Sequence, residues 1–98
     1  MEIERQYLAA LDLTHQMLSA AIRQDWDTLT RIERQRVAII TQTQALAQTA
    51  SSLDPALARR IAGIITEIER ESGEIVEHVQ VWQKHASILL RLDKAAVI

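Results

Sequence analysis

The 98-residue chain predicts an all-α fold: an antiparallel helical hairpin followed by a long third helix, packed as a three-helix bundle with coiled-coil-like seams. Three observations predict it. Two glycines and one proline are too few for the many turns that a sandwich or a doubly wound sheet requires. Apolar residues recur at steps of three and four along almost the whole length. The periodicity lapses twice, at the polar turn Arg23-Gln24-Asp25-Trp26-Asp27-Thr28-Leu29 and at Gln48-Thr49-Ala50-Ser51-Ser52.

The first helix spans about 3–23. Ile3, Tyr7, Leu8, Leu11, Leu18, Ala21 and Ile22 share a face, Thr14 fills one seam position, and Leu13 and Met17 widen the stripe. Asp25 is an N-cap for the second helix, about 26–48, and Asp27 in its first turn suits the helix dipole. Leu29, Ile32, Val37, Ile40 and Leu46 form its apolar side. So short a connection makes the two helices antiparallel neighbours.

Leu53-Asp54-Pro55 reads as a cap followed by proline at the first helical position, opening a third helix over about 55–92. Ile61, Ile65, Ile68, Ser72, Ile75, Val79, Trp82, Ala86 and Leu89 alternate steps of four and three. The heptad phase passes through Gly73 undisturbed, which predicts one continuous helix. At ~1.5 Å per residue that helix is nearly 60 Å long, beyond what a hairpin of roughly 30–35 Å can cover. Its distal half also carries Val76, Val81, Ile88, Leu90 and Leu92 outside the seam. Apolar surface left uncovered in this way marks a partner site or a homodimer interface.

Composition excludes several functions. A net charge of −2 gives no basic field for nucleic acid, and the absence of cysteine removes disulfides and thiolate chemistry. Met1-Glu2-Ile3-Glu4-Arg5 is no signal peptide, and runs such as Val37-Ala38-Ile39-Ile40 are far short of a membrane span. The expectation is a single cytoplasmic domain over 1–98, without cofactor and without membrane insertion.

Catalytic and metal sites find little support. His78 and His85 share a helix face but lie about 10.5 Å apart, and His15 has no second ligand one turn away. Glu67, Glu69, Glu71, Glu74 and Glu77 read as a solvated acidic belt. Arg31, Arg34, Arg36, Arg59 and Arg60 invite comparison with the all-α chorismate mutases, whose arginines converge inside a bundle. Here the arginines read as flanking an interior of Ile, Leu and Ala. Trp26 plugs the end of the hairpin, whereas Trp82 suits either core or interface.

Leu11-Asp12-Leu13-Thr14-His15-Gln16-Met17-Leu18, Ala20-Ala21-Ile22-Arg23-Gln24-Asp25-Trp26-Asp27-Thr28-Leu29 and Ile32-Glu33-Arg34-Gln35-Arg36 together resemble the FliT family of flagellar export chaperones. That family shares a Leu/Ala-rich helix, a turn of the form (R/G)-x-(E/D)-W-(D/E)-x-L and a Glu/Arg-rich second helix. Members often carry glycine where this chain has Gln24, so a left-handed backbone there would strain Gln24 by about 1 kcal/mol. Fuller members continue into a fourth helix that modulates partner choice. This sequence ends at Ala95-Ala96-Val97-Ile98, which gives no expectation of such control.

The resemblance implies binding of the C-terminal helical region of the filament-cap protein FliD and its delivery to the type III export apparatus. Contacts with the export ATPase complex and, in some bacteria, with the regulator FlhDC are implied as well. A client helix would lay its apolar face in a groove that the bundle leaves open. The apolar excess places that groove at Val76, Val79, Trp82, Ile88 and Leu89, with Ile39 and Ile40 as neighbours. Two other readings remain: a structural oligomerising module, and an enzyme of the chorismate mutase type.

Overall fold

The computed structural model describes the backbone of residues 2–49 and 54–97 and the side chains of residues 2–48 and 54–88. It comprises α1 (Glu2–Ile22), α2 (Trp26–Thr49) and α3 (Pro55–Val97), with no strand among the described residues. α3 passes Gly73 without interruption, and its 43 residues account for the 65 Å long axis of the molecule. It ends at Val97 rather than Leu92, because Lys94, Ala95 and Ala96 favour helix although the apolar pattern has stopped. Among the described residues no helix is long and apolar enough to cross a membrane. Most of the predicted connection at 48–52 lies outside the described residues.

The turn between α1 and α2 is a Schellman motif. The Asp25 amide donates to the Ala20 carbonyl at 2.9 Å and the Gln24 amide to that of Ala21 at 3.1 Å. Gln24 sits at the left-handed position with φ 60°, so the strain expected of a non-glycine residue is present. Asp25 then caps α2, its Oδ1 accepting from the Thr28 amide at 3.3 Å. Asp54 does the same for α3, with Oδ2 accepting from the Leu57 amide at 3.4 Å.

α1 lies between the other two helices. Thr14 and Arg36 meet across α1 and α2, which run antiparallel. Glu4 with Arg60, and His15 with Glu71, show α1 and α3 running in the same direction. α2 and α3 each pack on α1 but, among the described residues, make no close backbone approach to one another. This arrangement corrects several burial expectations. α1 buries Ile3, Ala10, Thr14, Met17, Ala20 and Ala21, while Leu8 and Ile22 point outward. Short alanines let two neighbours close on one helix, and that rotates the bulkier stripe toward solvent. On α2, Val37 and Leu46 are exposed and Thr43 is buried in their place.

On α3 the seam follows Leu57, Ile61, Ile68, Glu71 and Ile75. Glu71 is therefore not part of a solvated belt. It is a buried seam residue bonded to His15, with Ser72 half-buried beside it. Among the described residues two apolar clusters result. Ile3, Leu57 and Ile61 form one, with Tyr7 and Ile65 against them. Met17, Ala21, Ile32 and Ile75 form the other, joined by Leu13, Leu18, Trp26, Leu29 and Val79.

Candidate functional site

A polar layer crosses the middle of the bundle. Thr14 Oγ1 donates to the Ala10 carbonyl of its own helix at 2.8 Å and accepts from Arg36 Nη1 at 3.2 Å. Arg36 Nη1 also donates to Ser72 Oγ at 2.9 Å. A side chain as long as arginine is what spans the gap between α2 and α3. Arg36 is half-buried, and desolvation pushes its pKa below the ordinary value while the charge of Glu33 works in the opposite direction. Reading all the arginines as flanking the interior thus fails at Arg36, which projects inward from α2. Beside the layer, His15 Nδ1 lies 2.6 Å from Glu71 Oε1, and Glu71 Oε2 is buried without a hydrogen-bond partner.

At the other end of the gap, beside the α1–α2 turn, the rings of Trp26 and Trp82 pack at 5.2 Å with planes tilted by 57°. Trp26 also rests on the cluster of Met17, Ala21, Ile32 and Ile75, and Trp82 remains 40% exposed. Between the Arg36–Ser72 contact and this aromatic pair runs an open groove of about 440 Å³. Met17 of α1 contributes its floor. Leu29, Glu33 and Arg36 form the α2 wall, and Ser72, Ile75, Val76, Val79, Gln80 and Gln83 form the α3 wall. From Ser72 to Gln83 the wall is roughly 16 Å long, room for about three turns of a docked helix. Apolar walls with polar groups at the margin suit an amphipathic helix rather than a small polar substrate.

Of the residues predicted from sequence, Val76 and Val79 line this groove, and Trp82 stands near it against Trp26. Ile88 is exposed on the part of α3 that runs past the hairpin, and the side chain of Leu89 lies outside the described residues. Ile39 lines a separate, shallower depression with Ala9, Asp12, Leu13, Gln35 and Ala38, between α1 and α2. Ile40 is half-buried and borders neither. Sequence reading missed Met17, Leu29, Glu33, Arg36, Ser72, Ile75, Gln80 and Gln83 as lining residues. A usable signal was present: Thr14 and Ser72 place hydroxyls at apolar seam positions, which calls for a polar partner from the third helix. Among the described residues no group of three or more His, Asp or Glu side chains could hold a metal ion.

Residues 4–93 match the family described as Flagellar protein FliT. The chain belongs to the FliT family. The FliT match extends well beyond the hairpin whose turn resembles that family, through the groove and into the distal part of α3. FliT membership gives the chain a flagellar chaperone role in its broad sense. A second likeness covers 86 residues at 34% identity with the "Putative cysteine ligase BshC" of Chlorobium phaeobacteroides (strain BS1). It takes in 86% of this chain but only 15% of that protein. So small a share of a long protein carries no activity over to the FliT-family chain. No solved structure matches this sequence.

Proposed function

We propose that this FliT-family protein is a cytoplasmic export chaperone that holds the C-terminal helical segment of the filament-cap protein FliD in the groove between α2 and α3. Held there, the segment cannot self-associate before export through the flagellar type III apparatus. The observation that carries this reading is that, among the described residues, α2 and α3 make no close backbone approach, which leaves beside Met17 an apolar trough about three helical turns long. Handover to the export ATPase complex, and in some bacteria contact with FlhDC, belong to the same reading and use other surfaces. A chorismate mutase-like reading needs several cations around one cavity. Among the described residues, Arg36 is the one cation that lines this groove.

The test is titration calorimetry of the folded protein with the FliD C-terminal segment from the same organism. Saturable one-to-one binding with a negative heat-capacity change, the mark of apolar burial, is expected. Val76 is 52% exposed, so Val76→Asp should weaken binding at least tenfold at unchanged helical content. Val79 packs against the core cluster, which makes Val79→Asp a probe of folding as well as of binding. If the segment fails to bind up to about millimolar, the chaperone reading with this client falls. If sedimentation instead shows a tight dimer whose dissociation is required for binding, the uncovered face serves self-association first.

A further inference from the structure

We propose that the groove selects its client by charge as well as by shape: the docked helix carries a carboxylate within its apolar face, and that carboxylate pairs with Arg36. The proposal rests on the client-binding reading above.

Arg36 differs from the other paired arginines. Arg70 bonds to Glu67 and Glu74, Arg60 to Glu4 and Arg5 to Glu2, all at exposed guanidinium groups. Arg36 is the more buried cation, yet among the described residues its side-chain hydrogen bonds go only to the neutral hydroxyls of Thr14 and Ser72. A partly desolvated cation that feels the charge of Glu33 but makes no ion pair costs stability, and an arriving anion would offset that cost. Both bonds leave from Nη1, so Nε and Nη2 keep their donors. Among the described residues the one sealed, unpartnered side-chain atom is Glu71 Oε2, so the spare donors of Arg36, a residue that lines the groove, are not sealed from solvent. A planar guanidinium with donors on one side is the group that grips a carboxylate through two parallel bonds.

The neighbouring charge fixes the register. Glu33 lines the same groove one turn nearer the hairpin end, and it makes no ion pair with Arg36. A client carboxylate placed opposite Glu33 is repelled, and one placed opposite Arg36 is held, so a slip of one turn is penalised. Arg36 also pins the polar layer together, and a purely structural arginine would do no more than that. The two roles separate in a binding experiment.

The experiment titrates the FliD C-terminal segment and a series in which each Asp or Glu is changed in turn to its amide. One position should weaken binding roughly tenfold or more, and that penalty should vanish in Arg36→Gln, the sign of direct coupling. The affinity of the unaltered segment should also fall with salt more steeply than that of the critical amide. Should Arg36→Gln fail to fold, the amide series and its salt dependence decide alone, because they leave the chaperone intact. Binding of the unaltered segment with every amide within twofold, or the same loss with and without Arg36, overturns the charge pairing and leaves the client reading standing. Absence of binding by the unaltered segment removes both.

Discussion

Gln24 is held with φ 60° at the C-terminal cap of α1, where glycine would rest without strain. The Schellman bonds of Gln24 and Asp25 need that backbone conformation, so the side chain is the dispensable part. Gln24→Gly should therefore stabilise the protein by about 1 kcal/mol in denaturant titration. A neutral or destabilising result would mean that the glutamine side chain makes compensating contacts. The next residue links stability to pH. Hydrogen bonds from Thr28, first its side chain and then its amide, hold the Asp25 carboxyl below its ordinary range. A carboxyl depressed in the folded state contributes its full stabilisation above about pH 4 and loses it as pH falls through the folded value. Asp25→Asn keeps a capping oxygen that does not titrate. Its melting temperature should consequently decline less steeply than that of the wild type below that pH, and parallel curves would rule out the cap as the acid-sensitive element.

Among the elements, α3 is the least supported along its length, since the hairpin ends near Trp82 while the helix continues to Val97. Such a helix must hold its distal turns by local propensity, and Gly73 is its weak point. A Cβ added at Gly73 would meet nothing within 4 Å, and its backbone is ordinary helix. Gly73→Ala should raise stability by about 1 kcal/mol, read as a higher midpoint in urea at unchanged slope. A fall in stability would show that α3 uses the glycine to bend. At this scale the sequence was most legible. Element order, the continuous α3 and both aspartate caps follow from periodicity and from Asp25, Asp54 and Pro55. Which face of each helix is buried was less legible. Period alone cannot tell that Ala10 and Ala20 outrank Leu8 and Ile22, because the preference comes from two neighbours closing on α1. For the same reason the groove was found at Val76 and Val79 but not at Met17 or Arg36, which enter it from the other two helices.

For the whole molecule, the unequal placement of the three helices determines what binding can do. α1 is shielded on two sides, whereas α2 and α3 each make their close backbone contacts with α1 and, among the described residues, reach each other only through side chains such as Arg36–Ser72 and Trp26–Trp82. Backbone amides at the centre of α1 should exchange slowest with solvent, and those of α3 beyond Trp82 fastest, because opening follows buried contact. A helix seated between α2 and α3 would add packing to the few side-chain contacts that join these two. Client binding should therefore slow exchange over residues 29–36 and 72–83 by more than it does in α1, and raise the melting temperature with client concentration. Two patterns would contradict this. Protection confined to residues 84–97, where Ile88 is 46% exposed, would move the docking surface to the distal end of α3. Protection centred on Asp12, Gln35 and Ile39 would move it to the depression between α1 and α2. Only joint protection of α2 and α3 matches a client helix that seats against both of them.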